Sequence, residues 1–538
     1  MKFSGFLLTC KCEQTSMIKD TEKSGKVVFK DYNQHQISLL PPSFEELISP
    51  KHLVRIVNAV IDRINVKTLE QGYIGGGAST YHPRMMLKIL VYAYSVKTYS
   101  CRRIDQALCQ DIHFMWLSGM QRPDFRTINN FRSGPLKSIL ENVFREVLDF
   151  LIEQGYVKLE NYFVDGTKLQ ADANKHTAVW AKNTARYKES LQEKVNVLFA
   201  EIDVQNQQED KQYGEGHLES EGQNSKISSE EIIRKAEELN EQISSVDTKK
   251  EQRKIKSVQR KLERVATKMK EYEHQESLLK DRRSYSKTDT EATFMKMKDD
   301  QFLPAYNVMQ GTEDQFIINY TITQSSAETH KLIEHLEELE NRIGKLPENI
   351  VGDAAYGSEE NYAYLKEKSS NAYLKYSGYY HEQTIAHKED RFHRDNFPYD
   401  SITDSFTCPA GEKLVKKSTI HQTTSNGYAR TTYQYESRNC QGCSLADACK
   451  KNDQKQRQLT FNPTWEAFKV QARQRLLTQT GIKLRKQRSI DVESSFGDIK
   501  YNQGYNRFRL RGLKKVNIEW GLIAISHNLR KVAIRKAA

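Results

Sequence analysis

Apolar residues along this chain change their period several times, and each change predicts a different kind of element. From 83 onward they run almost unbroken through Pro83-Arg84-Met85-Met86-Leu87-Lys88-Ile89-Leu90-Val91-Tyr92-Ala93-Tyr94, a mostly apolar helix with Pro in its first turn. A second helix is predicted over 102–111. Asp124 stands where it caps a third, which carries Arg126, Thr127, Asn129, Asn130 and Arg132. Another amphipathic helix covers 136–151. Residues 161–171 alternate instead, so Phe163, Asp165, Thr167 and Leu169 share one strand face and Asp172 falls on the other. Between 186 and 280 the spacing becomes that of a coiled coil: Leu191, Val195, Leu198, Ile202; then Ile232, Ala236, Leu239, Ile243, Val246; then Ile255, Val258, Leu262, Val265, Met269, Tyr272. This predicts an antiparallel helical insertion with a polar turn or disordered tip at 205–225.

Strand signals return at Ala305-Tyr306-Asn307-Val308-Met309 and Phe316-Ile317-Ile318-Asn319-Tyr320, a hairpin around Gly311-Thr312-Glu313-Asp314. A helix striped by Leu332, Leu336, Leu339 and Ile343 follows. Then come a strand ending at Asp353, a helix over 358–368 and a strand at Ala372-Tyr373-Leu374. This order fits an α/β, ribonuclease-H-like core with one acid on its first strand and one after its fourth. Ile518, Leu522, Ile525 and Leu529 mark a closing helix. The expected organisation is a leader and arm (1–40), an all-α DNA-binding domain (41–155), a first core segment (156–185), the coiled-coil insertion (186–280), a second core segment (281–379), a cysteine-containing insertion (380–470) and a helical end of the core (471–538).

Charge narrows the partner. Lys plus Arg number 82 against 70 for Asp plus Glu in 538 residues, a net +12 that favours a polyanion. Eight cysteines are too few for a disulfide scaffold of this length. No apolar run reaches the roughly 18 residues of a membrane span. The opening Met1-Lys2-Phe3-Ser4-Gly5-Phe6-Leu7-Leu8-Thr9-Cys10 is too short and too soon followed by charge to read as a secretory leader, and Met17 offers an alternative start. A cytoplasmic protein is expected.

Three carboxylates stand out. Asp165 ends an apolar run in Asn161-Tyr162-Phe163-Val164-Asp165-Gly166-Thr167, and Asp353 ends another in Asn349-Ile350-Val351-Gly352-Asp353-Ala354-Ala355-Tyr356-Gly357. Glu493 lies in Asp491-Val492-Glu493-Ser494-Ser495-Phe496-Gly497, within a basic helical stretch. Carboxylates from distant segments can converge on divalent cations, and in a basic protein that points to phosphodiester chemistry. Arg488, Lys500, Arg507, Arg509 and Arg511 surround Glu493 as candidate DNA contacts, with Lys500 two helical turns away, roughly 10 Å along the axis. Arg126, Asn129, Asn130 and Arg132 are the corresponding candidates in the amino-terminal helices, where a reading helix and an ordinary bundle remain alternatives. Cys408, Cys440, Cys443 and Cys449 form a candidate structural zinc set with one tight CxxC, free buried thiols being the alternative. Cys10, Cys12, Cys101 and Cys109 suggest nothing specific.

Taken together, these motifs resemble the bacterial insertion-sequence DDE transposases, the eleven-eighty-two group in particular. The resemblance also rests on Tyr81-His82-Pro83-Arg84-Met85-Met86-Leu87, Arg122-Pro123-Asp124-Phe125-Arg126-Thr127-Ile128, Val492-Glu493-Ser494-Ser495-Phe496-Gly497-Asp498-Ile499-Lys500 and Arg511-Gly512-Leu513. It implies that Asp165, Asp353 and Glu493 hold two catalytic ions, Mg²⁺ or Mn²⁺. It also implies cleavage at terminal inverted repeats, transfer of the freed 3′-hydroxyl to target DNA, and at least a homodimer in the working complex. A broader pattern of Tyr, Arg, Glu and Lys in fixed register is met by Glu493 and Lys500. Its Tyr and Arg positions hold Lys486 and Ser489, with Arg488 displaced by one. A metal-dependent nuclease and an inactive, transposase-derived DNA-binding protein are the competing readings.

Overall fold

A computed structural model describes residues 43–65, 80–213, 227–245, 248–450 and 455–537. The leader, Cys10, Cys12, Met17, Val246 and the 214–225 part of the polar tip lie outside the described residues. Two compact units divide the chain, Met1–Leu47 and Ile48–Ala538. The described part of the first is one helical turn, Phe44–Leu47, in which Ser43 Oγ accepts the Glu46 N–H. All that follows concerns the second.

Its amino-terminal part is helical: Leu53–Arg63, Pro83–Ser95, Cys101–Gln110, Ile112–Ser118, Phe125–Ser133 and Pro135–Glu153. His82 Nδ1 caps the Pro83–Ser95 helix and Asp124 Oδ1 caps Phe125–Ser133, accepting the Thr127 N–H at 2.8 Å. Every residue of Pro83–Ser95 except Arg84 and Lys88 is buried, so this helix is central rather than peripheral. It packs against the closing helix Leu513–Ala537, where Ser526 Oγ donates to the Val91 carbonyl.

Thirteen strands can be followed along the described chain. β1 (Asn161–Gln170) is followed by β2 (Ala178–Trp180) and, after three helices, by β3 (Ser284–Ser286), which pairs with β2. β4 (Thr293–Lys296), β5 (Phe302–Glu313), β6 (Phe316–Thr323), β7 (Asn349–Gly352) and β8 (Asn371–Leu374) complete the main sheet with β1. β1 is central, antiparallel to β5 and parallel to β7; β8 continues the parallel side, while β6 and β4 share the far edge of β5. The order β6-β5-β1-β7-β8 is the one expected of a ribonuclease-H-like core. Its β6 edge is covered by the closing helix, where the Asn528 side chain makes both hydrogen bonds to the Ile317 backbone at 2.8 Å. The hairpin turn sits later than the sequence suggests. Gly311, Thr312 and Glu313 belong to β5, and Asp314 and Gln315 make the turn with positive φ. Gly311 is needed inside the strand because a Cβ there would meet the Tyr162 ring at 1.8 Å.

The insertion is three helices, Ala181–Tyr213, Ser229–Ser245 and Lys249–Leu279, and not a simple pair. Val195, Ile202, Ile232, Ala236, Leu239, Leu262 and Met269, all from the predicted stripes, form its own small core. The cysteine-containing segment is a second, antiparallel sheet of β9 (Tyr399–Asp400), β10 (Ser405–Thr407), β11 (Lys413–Thr423), β12 (Ala429–Ser437) and β13 (Gln458–Phe461). The helices Pro463–Leu477 and Gln479–Arg488 return the chain to the main sheet. No helix among the described residues is long and apolar enough to cross a membrane.

Candidate active site

Parallel pairing of β1 with β7 brings the two strand-borne aspartates together. Phe163 is in register with Val351, so Asp165 and Asp353, each two residues further on, lie at the same level of adjacent strands. Asp353 caps a short turn, its Oδ1 accepting the Ala355 N–H at 2.8 Å. Asp165 Oδ1 accepts the Gly166 N–H at 2.9 Å.

Glu493 arrives from the opposite direction. Beyond Arg488 the helix widens into a π-turn, Ser489–Glu493, and widens again at Asp498–Asn502. Two buried side chains pin this segment to the sheet. Asp491 Oδ1 accepts from Thr312 Oγ1 at 2.6 Å and from the Gln315 N–H at 2.8 Å, and Ser495 Oγ accepts from Gln310 Nε2 at 2.6 Å. Gln310 is the cross-strand partner of Asp165, which fixes the depth at which Glu493 meets β1.

Arg488 ties the parts together: its guanidinium donates to Asp165 Oδ2 at 3.3 Å and to Glu493 Oε1 at 2.6 Å. The π-turn also resolves the register mismatch seen in the sequence. A π-turn bonds i to i+5, so Arg488 and Glu493, five apart, share a face there as residues four apart would in an α-helix.

A fourth acid was not anticipated. Glu328, after β6, receives hydrogen bonds from Tyr356 Oη at 2.8 Å and Asn307 Nδ2 at 3.2 Å. It occupies the space that Gly166 leaves: a Cβ on Gly166 would lie 2.2 Å from the Glu328 carboxyl carbon. Its neighbours Ala327 and Thr329 carry no motif; the one local signal was the glycine after Asp165.

The electrostatics are set by crowded carboxylates, one of them buried, beside a basic cavity. Burial pushes the Asp165 carboxyl up to about 6, Arg488 and the Gly166 N–H pull against it, and Asp353 and Glu328 add to the rise. Lys500 donates to Thr167 Oγ1 at 2.5 Å and to the Lys168 carbonyl at 3.0 Å. Burial, with Lys298 nearby, brings it down to about 8 against the pull of Asp165. Beside the acids lies a cavity of about 640 Å³ whose lining includes Gly166, Glu328, Lys168, Lys296, Lys298 and Lys500. Four carboxylates against Arg488 and Lys500 suit a site that takes up divalent cations, and oxygen-only donors suit hard ions. The Arg488 guanidinium already bridges Asp165 and Glu493 as a cation.

The other candidates are distributed differently. Arg132 is a correction: it is 5% exposed, and its guanidinium donates to Tyr94 Oη, the Tyr99 carbonyl and Asn129 Oδ1. Burial of the helix face that carries it commits both Arg132 and the Asn129 carbonyl oxygen to hydrogen bonds within the helical core. Arg126 and Asn130 are exposed on the same helix. Arg507 and Arg511 are exposed but both pair with Asp172 at 3.0 Å, and Arg509 lies over the Tyr99 ring. The Cys449 thiol is pushed up by burial and, against the pull of Arg457, further by Cys408, Cys440 and Cys443, though no three of the four sulfurs lie within 4.8 Å of one another. Cys440 Sγ is 2.7 Å from Ser437 Oγ.

Comparison with known proteins gives two matches to family models. One, described as Transposase domain (DUF772), covers residues 42–134, and the other, described as Transposase DDE domain, covers residues 407–533. The second takes in Arg488, Glu493, Lys500 and the four cysteines, whereas Asp165 and Asp353 fall between the two. No curated protein and no solved structure matches the chain.

Proposed function

We propose that the chain is an insertion-sequence DDE transposase, as its matches to two transposase family models support, and that Asp165, Asp353 and Glu493 form its catalytic acid set for DNA cleavage and strand transfer. The observation that carries this reading is the Arg488 bridge between Asp165 and Glu493, with Asp353 level on the next strand. Bound there, a pair of divalent ions would supply activation of the attacking oxygen and neutralisation of the leaving one. Asp165, between the other two acids, would hold both ions, Asp353 one and Glu493 the other; Glu328 adds a fourth carboxylate at the Asp165 side. Ions held by Asp165 and Glu493 would take the place of the Arg488 guanidinium there, which would then be free for a phosphate, a group it suits. Lys500, anchored on Thr167, holds the adjoining phosphate in the cavity lined by Lys168, Lys296 and Lys298.

The substrate under this reading is the terminal inverted repeat of the element. Exposed Arg126 and Asn130 would contact it, and Arg509 and the Asp172-paired Arg507 and Arg511 would lie along the same DNA. Two ends must be held together, which calls for at least a homodimer. The four thiols are a donor set of the kind that holds structural zinc, but no three of their sulfurs lie within 4.8 Å of one another, so a zinc tying β10 to the end of β12 would need them to close in.

A pre-cut end carrying the inverted repeat that flanks the coding region provides the test. With Mg²⁺ or Mn²⁺ and target plasmid, the full chain should give joined product, and Asp353→Asn should abolish joining while end binding changes less than about threefold. Hydrolysis without joining would identify a nuclease instead. Binding without chemistry in the unaltered chain would identify a DNA-binding relative.

A further inference from the structure

Away from the acids, the chain between β8 and β9 has only short helical pieces, His381–Gln383, Ile385–Glu389 and Arg394–Asn396. Here His387, His393 and Asp395 bring ligand atoms within 4.8 Å of one another, which no other trio of His, Cys, Asp or Glu does among the described residues. Asp395 Oδ2 is 3.8 Å from His387 Nε2 and 3.6 Å from His393 Nδ1. Both gaps are long for hydrogen bonds. Both are close to the spacing of two ligands on one tetrahedral ion, about 3.4 Å for bonds of about 2.1 Å.

His387 is the most buried of the three. It is 5% exposed, and its buried Nδ1 has no hydrogen-bond partner. The ring nitrogen that faces Asp395 Oδ2, at 3.8 Å, is the other one, Nε2, and it is Nε2 that would ligate. The surroundings are built to hold the trio in place. Thr384 caps the His387 turn, and Asn396 Nδ2 donates to the His387 and Asp390 carbonyls at 2.7 and 2.9 Å. Arg394 holds Asp395 Oδ1 at 3.2 Å and is itself anchored on the Thr460 carbonyl of β13. Such outer partners orient metal ligands. His387 and Asp395 also line a cavity of about 690 Å³. Of the cations lining it, Lys469 and Arg473 are paired with Glu382 and Glu466, and Arg394 with Asp395 and Glu466, while Lys388 also lines it.

We propose that His387, His393 and Asp395 form a resident transition-metal site of the zinc class, with one coordination position open to this cavity. Two imidazoles and one carboxylate select such an ion over Mg²⁺. All three ligands fall within nine residues of a segment poor in regular structure, so the ion would staple the passage from the main sheet to the second one.

The test uses the full chain with Asp165→Asn to silence the acid site, stripped by chelator and titrated with Co²⁺. Expected is one equivalent with d–d bands and no thiolate-to-cobalt charge transfer, undisplaced by excess Mg²⁺. His387→Gln and His393→Asn should each weaken this component at least tenfold, leaving any charge-transfer component from the cysteines in place. His393 is about a third exposed, so its variant keeps the test decisive where His387→Gln fails to fold. Unchanged cobalt binding in His393→Asn, or bound cobalt showing thiolate charge transfer alone, would overturn the assignment.

Discussion

Replacing Asp165 with Asn should stabilise the fold while destroying the chemistry. The Asp165 carboxyl is raised from its ordinary 3.8 to about 6, chiefly by burial. Holding it charged at neutral pH therefore costs the folded state about 3 kcal/mol. The sign follows from proton counts. Between the unfolded value of 3.8 and the folded value of about 6 the native state binds more protons, so stability falls as pH rises through that window. Asn keeps the shape and one acceptor without the charge, and Arg488 retains Glu493 at 2.6 Å. Urea unfolding should thus find Asp165→Asn more stable than the unaltered chain by about 3 kcal/mol at about pH 8 without divalent cations, and by roughly half that at about pH 5.

A divalent ion should nearly close that gap. Mg²⁺ at a hundredfold excess over its Kd stabilises a one-site native state by about 2.7 kcal/mol. That gain should appear in the unaltered chain and vanish in Asp165→Asn. If Asp165 served only as the ion-pair partner of Arg488, the substitution would destabilise at both pH values and leave any Mg²⁺ effect intact, and that outcome would refute the reasoning.

Other expectations are more quickly stated. Lys500 loses its charge as pH passes about 8, so cleavage should decline through that value, and Lys500→Arg should move the alkaline limb upward in a pH–rate profile. The acid limb, set by Asp165 near about 6, should shift down as Mg²⁺ concentration rises. Gly166→Ala would drive a methyl into the Glu328 carboxylate at 2.2–2.4 Å. Because the end of a Glu side chain can swing away, thermal denaturation should register less than about 2 kcal/mol while single-turnover cleavage falls at least tenfold. Arg132→Met should destabilise by about 1–3 kcal/mol through loss of its bonds to Tyr94 and Tyr99, and unchanged stability would contradict its buried placement.

What the sequence determined by itself is local and periodic. Alternation placed Asp165 on a strand, the apolar run before Asp353 placed it at a strand end, and heptad spacing marked the helical insertion, because side-chain period and backbone geometry are coupled residue by residue. Motif likeness then linked Glu493 to the two aspartates. Tertiary structure decided what no period encodes. Parallel pairing of β1 and β7 levels Asp165 with Asp353, a π-turn sets Arg488 and Glu493 on one face, and the gap left at Gly166 admits Glu328. It also turned Arg132 inward and drew His387, His393 and Asp395 together. Such outcomes depend on strand register, helix winding and the filling of space between segments far apart in the chain, and packing settles these only when the whole core closes.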